Sequence, residues 1–187
     1  MRNIILVKHA RPHVVEDVPS TRWRLSDEGR RKAELLAGRL AAYDVLRIFT
    51  SDEMKAVETG EILARILDRP AAVAPGLHEH DRANVPLMQP REFISHMAHF
   101  FKHPDEPVLG NETANEAADR ILDAVDDLVA ANPEGNLAVV THGTVLSLLI
   151  CEYADHDPFT LWRRLEQPSF AVFRVPGWEL GELVERI

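Results

Sequence analysis

The sequence predicts a three-layer α/β/α sandwich built around a mainly parallel β-sheet. Short runs of consecutive apolar residues, such as Ile4–Val7 and Leu137–Val140, indicate strands that are buried on both faces. Between such runs lie longer stretches whose apolar residues recur every three or four positions, which is typical of helices packed on a sheet. Strands that alternate with helices in this way usually form a parallel sheet with helices on both faces.

The N-terminal part is expected to form, in order, a strand, a helix, a strand, a helix and a strand. After the first strand a polar loop leads to Ser26, a suitable N-cap for a helix that continues to about Tyr43. A second strand is expected over Val45–Thr50. The helix after it ends before Pro70, because a proline disfavours the helical conformation of the residue that precedes it. A short third strand then covers Ala71–Ala74.

The C-terminal part continues the alternation, and the chain is expected to form a single domain over 1–187. The stretch 83–108 is less regular and predicts a small helical cap. The remaining elements are expected in the order helix, helix, strand, helix, strand and strand. The first helix is expected over about Arg91–Phe101, and the second between the segments Gly110–Thr113 and Asn132–Gly135. The elements after them are expected over Leu137–Val140, Val145–Tyr153, Phe170–Val175 and Leu183–Ile187.

Composition and charge limit the kinds of partner that the protein can have. The chain has 187 residues with a formal net charge of −9, which argues against non-specific binding to nucleic acid. No apolar run is long enough to span a bilayer, and the N-terminus does not resemble a signal peptide. Cys151 is the single cysteine, which excludes an internal disulfide and a multi-cysteine metal site. We therefore expect a cytoplasmic protein with no nucleic-acid and no membrane partner.

Two of the apolar strands end in a histidine. His9 follows the first strand, and His142 follows the strand Leu137–Val140. The carboxyl ends of parallel strands share one edge of the sheet, where open α/β folds bind their ligands, so the two side chains are expected in one pocket. Either histidine alone is more often structural, and the pair is the informative feature. A neutral imidazole is a nucleophile near pH 7, and a second imidazole can donate a hydrogen bond to a phosphoryl oxygen.

Further short motifs follow a regular order along essentially the whole chain. The segments are Lys8-His9-Ala10, Leu25–Ala33, Thr50–Thr59, Leu77-His78-Glu79, Asn111-Glu112-Thr113 and Thr141-His142-Gly143. In this order and spacing the sequence resembles the histidine phosphatase superfamily, also called the phosphoglycerate mutase-like family. The resemblance implies a phosphoglycerate mutase-like fold and a phosphatase that acts on a small phosphorylated substrate.

The resemblance also implies a role for each residue of the site. His9 would attack phosphorus and become phosphohistidine, while Lys8, Lys55 and His142 would hold the non-bridging oxygens. Glu79 would protonate the leaving oxygen and then activate the water that cleaves the phosphoenzyme. Such a reaction depends mainly on positioning and charge stabilisation. Neither a metal nor a cofactor is implied, because cationic side chains supply the charge.

The sequence departs from the family pattern at three positions. Lys8 and Lys55 stand where the family has two arginines that clamp the phosphate, and Ala10 stands where it has glycine. Arginine offers a planar, bidentate fork, whereas lysine is a hydrated point charge. We therefore expect a pocket that keeps its positive charge but has reduced activity. Three arginines are candidates to compensate, namely Arg11, Arg22 and Arg82.

Three alternatives stay open at this point. Phosphoglycerate mutase-like phosphoryl transfer belongs to the same family. A module that binds a phosphorylated ligand with little or no turnover belongs to a different class, and the two lysines favour it. The run His78–Asp81 contains potential metal ligands on alternate residues, although histidine-rich loops without a metal are more common. The oligomeric state is also open, with a homodimer as one option.

Overall fold

The structure is a computed structural model that describes residues 1–187. Six strands and six α-helices make up the fold. The strands are β1 (Arg2–Lys8), β2 (Val45–Thr50), β3 (Ala71–Val73), β4 (Asn136–Thr141), β5 (Ser169–Val175) and β6 (Glu179–Val184). The helices are α1 (Asp27–Leu40), α2 (Met54–Leu67), α3 (Pro90–Lys102), α4 (Ala114–Ala131), α5 (Gly143–Tyr153) and α6 (Pro158–Arg164). Short 3₁₀ turns cover Ser20–Arg22 and Ala41–Tyr43.

All six strands belong to one sheet with the order β3-β2-β4-β1-β5-β6. The first four strands in this order are parallel, and β5 and β6 are antiparallel additions at one side. In the central pair, Val7 lies beside Val140 and Lys8 lies beside Thr141. The two strands therefore end side by side, and the residues that follow them leave the sheet at the same edge.

The core divides into two halves because side chains of a strand alternate between its faces. Ile5 and Val7 of β1 pack with apolar residues of α1 and α2. Ile4 and Leu6 point to the other face and pack with apolar residues of α4, α5 and α6. Every one of these four β1 side chains is fully buried. Helices thus cover both faces of a mostly parallel sheet, which confirms the predicted three-layer α/β/α fold class.

Three elements differ from the sequence-based expectations. Helix α1 ends at Leu40 rather than Tyr43, since the chain tightens into a 3₁₀ turn before Asp44, which has a positive φ of 44°. The last strand lies over Glu179–Val184 and not Leu183–Ile187; as a half-exposed edge strand it lacks a continuous apolar run. Helix α6 was not expected, because a seven-residue helix with a single buried residue, Leu161, shows no apolar periodicity.

Within the stretch 83–108, for which a small helical cap is predicted, the structure contains one helix, α3. Its buried residues Met97, Phe100 and Phe101 form a separate apolar cluster with Leu109 and Ala114. Phe101 and Trp162 of α6 have ring centroids 6.2 Å apart. Helix α3 is therefore anchored by its own small core outside the two main ones. No helix of the structure is both long enough and apolar enough to cross a membrane.

The loop after β1 is pressed against the start of α1. The carbonyl oxygen of Arg11 accepts hydrogen bonds from the backbone N–H and the hydroxyl of Ser26, at 3.0 and 3.1 Å. Ser26 also caps α1, as predicted, by accepting from the N–H of Gly29 at 3.0 Å. A methyl group on Gly29 would lie only 2.1 Å from the Arg11 oxygen. Glycine at this position therefore allows the loop that follows His9 to pack closely.

We expect Gly29→Ala to lower the free energy of unfolding by about 1–3 kcal/mol, because the methyl group meets backbone that cannot rotate away. Gly38 is the matched control in the same helix, since a methyl group there meets nothing within 4 Å. Gly38→Ala should raise stability by up to ~1 kcal/mol through helix propensity alone. Urea unfolding followed by circular dichroism measures both changes. Equal effects of the two substitutions would contradict the close contact at Gly29.

Candidate active site

The two strand-end histidines lie together at the carboxyl edge of the sheet. The N–H of His9 continues the ladder of β1 and β4 by donating to the carbonyl of Thr141 at 3.0 Å. The rings of His9 and His142 have centroids 5.0 Å apart with an interplanar angle of 61°. Both side chains are buried. The parallel register of β1 and β4 thus places two imidazoles in contact in one pocket.

His9 is held in one tautomer by the backbone carbonyl of the next residue, Ala10. Its Nδ1 lies 2.8 Å from the carbonyl oxygen of Ala10, and because a carbonyl can only accept, Nδ1 carries the proton. The lone pair of the neutral ring is therefore on Nε2. Burial lowers the pKa of His9 well below its usual value, and His142 and Lys55 lower it further. The ring is consequently uncharged near pH 7, with Nε2 in the form that a nucleophile requires.

His142 occupies the N-cap position of α5 and is completely buried. Its Nε2 lies 2.8 Å from the hydroxyl oxygen of Ser51 and 3.4 Å from a carboxylate oxygen of Glu53. Its other nitrogen, Nδ1, is buried and has no hydrogen-bond partner. Burial lowers the pKa of His142 well below its usual value. An unpartnered buried ring nitrogen is rare in proteins, and a bound oxygen ligand would satisfy it.

Glu79 is a partly buried carboxylate, 15% exposed, that is held by backbone N–H groups. It accepts hydrogen bonds from His80, Thr144 and Val145 at 2.9, 3.2 and 3.3 Å. The last two belong to the first turn of α5, where the helix dipole favours a negative charge. A guanidinium nitrogen of Arg82 lies 3.5 Å from the same carboxylate. Burial opposes ionisation, but these donors outweigh it and hold the pKa of Glu79 well below its usual range, so the free site contains a carboxylate.

Lys8 reaches across the end of the sheet toward α5 and α6. Its ammonium donates to the carbonyl of Leu165 at 2.7 Å. Its stem packs on Gly143, where a methyl group would lie 3.0 Å from Nζ. Burial lowers the pKa of Lys8 to about 8, although Glu79 and Glu166 act in the opposite direction. Lys8 therefore begins to lose its charge only slightly above neutral pH.

Lys55 forms a buried ion pair with Glu53, the residue that sequence reasoning missed. The ammonium of Lys55 contacts one carboxylate oxygen of Glu53 and donates to the carbonyl of Ser20 at 2.9 Å. The other carboxylate oxygen accepts from the N–H of Glu79 at 2.9 Å and lies 3.4 Å from His142. Both members of the pair are more than nine-tenths buried. A carboxylate of the chain itself thus lies between Lys55 and His142.

Arg82 is the one of the three candidate arginines that contacts a predicted site residue. Its guanidinium approaches Glu79 and lies over the ring of Phe93, 5.0 Å from the centroid. Arg11 instead pairs with Glu28 at the surface and is 54% exposed. Arg22 is exposed at the end of the 3₁₀ turn Ser20–Arg22. Arg82 therefore supplies a planar cation beside the acid, at a place different from either lysine.

Arg120 of α4 holds the loop that carries Glu79. Its guanidinium donates to the carbonyls of Gly76 and His78 at 2.8 and 3.0 Å, and to that of Glu79 at 3.3 Å. It also pairs with the carboxylate of Glu112, the central residue of the Asn111-Glu112-Thr113 motif. The motif glutamate therefore holds the loop of Glu79 through Arg120, and also directly, because its carboxylate accepts from the N–H of Asp81 at 2.9 Å. Arg120 lies on a helix more than forty residues downstream of the loop, so no local sequence pattern predicts this contact.

The side chains of His78–Asp81 take different partners. Nε2 of His80 donates to the carbonyl of Glu112 at 3.0 Å, and its ring packs on Phe100. The carboxylate of Asp81 accepts from Ala83 and Asn111, at 3.0 and 3.1 Å. Since the carboxylate of Glu79 points to α5, the potential metal-ligand atoms of this run do not converge on one point. The segment positions the acid and does not form a metal centre in this structure.

Comparisons with known proteins show both family and fold. The family model for the histidine phosphatase superfamily (branch 1) matches residues 4–182. YhfR from Bacillus stearothermophilus is 25% identical with a TM-score of 0.79, over 99% of this chain and 96% of that one. A phosphoserine phosphatase mutant from Entamoeba histolytica, in complex with phosphoserine, has a TM-score of 0.80 at 17% identity, over 98% and 97% of the chains.

Mycobacterial glucosyl-3-phosphoglycerate phosphatase has a TM-score of 0.78 at 18% identity, over 100% of this chain and 99% of that one. At identities below one fifth, these two phosphatases show that the fold is shared. No curated protein matches the chain by sequence.

The Glu53–Lys55 pair generates a test of the pocket's electrostatics. Glu53→Gln keeps the acceptor for the N–H of Glu79 but removes the charge that neutralises Lys55. We expect inorganic phosphate to bind about tenfold more tightly, equivalent to ~1.4 kcal/mol, because Lys55 becomes free to contact an anion. Without phosphate the variant should lose about 3–5 kcal/mol of stability, since it leaves a buried charge unpaired.

Isothermal titration calorimetry with phosphate and chemical unfolding measure the two effects. Asp52→Asn is the control, because it removes the same charge from the neighbouring residue, whose side chain is exposed. Weaker phosphate binding in Glu53→Gln than in Asp52→Asn would show that Glu53 does not compete with the anion.

Proposed function

The chain belongs to the histidine phosphatase superfamily, branch 1, and from this membership we propose that it hydrolyses a small phosphomonoester through a phosphohistidine intermediate. The observation that carries the proposal is the state of His9. Its Nδ1 proton is committed to the carbonyl of Ala10, its Nε2 lone pair is free, and the neighbouring His142 has an unpartnered buried nitrogen. One imidazole is thus suited to attack phosphorus and the other to contact a phosphoryl oxygen.

In the first step, Nε2 of His9 forms a bond to phosphorus while the ester bond to the leaving oxygen breaks. The leaving oxygen needs a proton, and Glu79 is the acid next to the pair of histidines. In the free site this carboxyl is ionised. A bound phosphate dianion brings a second negative charge beside it, which raises its pKa and allows it to take up a proton from solvent. Substrate binding therefore converts Glu79 into the acid that the step requires.

In the second step, water attacks the phosphorus of phosphohistidine and the bond to His9 breaks. Glu79, which gave its proton to the alcohol, is again a carboxylate and accepts a proton from the attacking water. Inorganic phosphate leaves, and His9 returns to its neutral form, in which the Nδ1–H donates to the carbonyl of Ala10. The same carboxyl thus acts once as acid and once as base. Its proton returns to solvent when phosphate leaves, which restores the ionised carboxylate of the free site.

The charge of the transferred group is balanced by side chains of the chain. In the proposal, Lys8, Lys55 and Arg82 supply positive charge and His142 donates a hydrogen bond from Nδ1, while the hydroxyl of Ser51 donates to Nε2. Preorganised donors in a buried site stabilise developing charge more effectively than water does. This set of donors accounts for phosphoryl transfer without a required metal.

A second candidate function is a module that binds a phosphorylated ligand with little turnover. The buried Glu53–Lys55 pair favours it, because an ammonium that is already neutralised contributes less to the transition state. Hydrolysis separates the two candidates. Purified protein that binds phosphate or vanadate but does not release p-nitrophenol from p-nitrophenyl phosphate would be a binding module.

The central prediction concerns His9. During turnover of p-nitrophenyl phosphate, a rapid quench at alkaline pH followed by mass spectrometry should find a phosphoryl group on His9. His9→Ala should lower kcat by on the order of a thousandfold or more, since it removes the nucleophile. The control is His13→Ala, which removes an exposed imidazole four residues away and should leave kcat unchanged. An undiminished rate in folded His9→Ala would overturn the mechanism.

The pKa of Lys8 predicts an alkaline limit to activity. Because burial lowers this pKa to about 8, Lys8 releases its proton as the pH rises through that value. We expect kcat/KM, which reports the free enzyme, to fall above about pH 8 as the phosphate loses a cationic partner. Lys8→Arg keeps its charge, so the decline should move to higher pH.

The control for this experiment is Lys102→Arg, which makes the same exchange at an exposed position. Its pH profile should match that of the wild type. A decline near pH 8 that persists in Lys8→Arg would assign the limit to a different group. The pH dependence of folding stability offers an independent check. A lowered pKa means that the native state binds fewer protons than the unfolded state between pH 8 and 10. The free energy of unfolding should therefore gain a contribution from Lys8 that rises with pH in that range. This rise should be absent in Lys8→Arg.

A further inference from the structure

A second cluster of ligand-type side chains lies at the C-terminal end of α3, apart from the residues of the candidate active site. His99 and His103 are one helical turn apart, and Glu106 follows in the next loop. Nε2 of His99 lies 3.7 Å from one carboxylate oxygen of Glu106, and Nδ1 of His103 lies 3.4 Å from the other. The three ligand atoms all lie within 4.8 Å of one another.

These separations suit metal ligands better than they suit hydrogen bonds. At 3.4 and 3.7 Å the imidazole nitrogens are too far from Glu106 for normal N–H···O bonds, whose usual length is about 2.7–3.2 Å. Ligands bound to Zn²⁺ at about 2.0–2.2 Å in a tetrahedron are separated from each other by roughly 3.4 Å. Small side-chain adjustments therefore bring all three atoms into one coordination sphere.

The backbone under the cluster is already fixed. The N–H of Glu106 donates to the carbonyl of His103 at 3.0 Å, which closes the turn between them. The start of α4 ties down the same loop, because Asn115 donates from its backbone to Pro104 at 3.1 Å and from its side chain to Asp105 at 2.6 Å. Metal binding at this site therefore requires little ordering of the chain.

The cluster is also accessible. The side chains of His99, His103 and Glu106 are 51, 37 and 60% exposed. A metal ion can thus enter from solvent and keep a water molecule as a further ligand. Two imidazoles and one carboxylate are a ligand set that Zn²⁺ accepts in tetrahedral sites with an open fourth position, and the imidazoles favour transition metals over Mg²⁺ and Ca²⁺.

We propose that His99, His103 and Glu106 bind a divalent first-row transition metal, with Zn²⁺ the best-matched ion. The bound ion joins the last turn of α3 to the loop that leads to α4. Phe100, the neighbour of His99, packs on the ring of His80 with centroids 4.3 Å apart, and His80 directly follows Glu79. The ion therefore steadies the helix that supports the loop of the candidate acid, without itself taking part in chemistry.

The test is a titration of tag-free, chelator-treated protein with Zn²⁺ at pH 7.5, followed by calorimetry, together with thermal unfolding. The wild type should bind one ion with a micromolar dissociation constant and unfold at a higher temperature when Zn²⁺ is present. His99→Ala and His103→Ala should each weaken binding at least tenfold and lose the stabilisation. His96→Ala is the control, because it removes a half-buried imidazole of the same helix that lies outside the cluster.

The candidate active site also contains imidazoles, so the titration is repeated in His9→Ala, where the surface site should be unchanged. Replacing Zn²⁺ by Co²⁺ gives a readout of geometry, since tetrahedral Co²⁺ absorbs strongly in the visible range and this band should vanish in His103→Ala. Circular dichroism confirms that each variant is folded. Equal affinities of His99→Ala, His103→Ala and His96→Ala, or no saturable binding by the wild type, would overturn the proposal.

Discussion

The site depends on the parallel pairing of β1 with β4. The register that places Lys8 beside Thr141 makes both strands stop at the same level, and the bond from the N–H of His9 to Thr141 extends the ladder by one residue. The next residues of both strands then face one another across the sheet edge. A slip of one residue in this pairing would turn one histidine to the opposite face, because side chains alternate along a strand. The buried apolar faces of both strands prevent such a slip.

The ionisable side chains around the two histidines fall into two groups. Burial keeps the imidazoles neutral, whereas the ammonium groups and carboxylates are matched with partners. Removing a cation from water costs several kcal/mol unless an opposite charge or hydrogen bonds compensate. Glu53 provides that compensation for Lys55, and the carbonyl of Leu165 provides part of it for Lys8. In the proposed reaction, an incoming phosphate must therefore displace or share partners that are already satisfied, which links ligand affinity to the stability of the free pocket.

The sequence was sufficient for the fold class, most of the elements and the meeting of the two histidines. All of these follow from apolar runs, helical periodicity and the rule that parallel strands end at one edge. Glu53 was not predictable in this way, because residues two apart in a helix do not face each other. Glu53 reaches Lys55 since it is the N-cap of α2 and has extended backbone angles, φ −72° and ψ 132°. Two further contacts join segments that are distant in sequence, those of Lys8 with Leu165 and of Arg120 with the loop of Glu79. No local sequence pattern predicts them.

The antiparallel direction of β5 has a consequence for how such a protein can diverge. Because β5 runs opposite to β1, its beginning lies at the pocket edge, with Ser169 beside Lys8. The segment that precedes it, which includes Leu165 and Glu166, therefore forms a wall of the pocket although it carries none of the family motifs. That wall sets part of the proton affinity of Lys8. A change in this one connecting segment can therefore shift the pKa of Lys8 while every family motif stays the same.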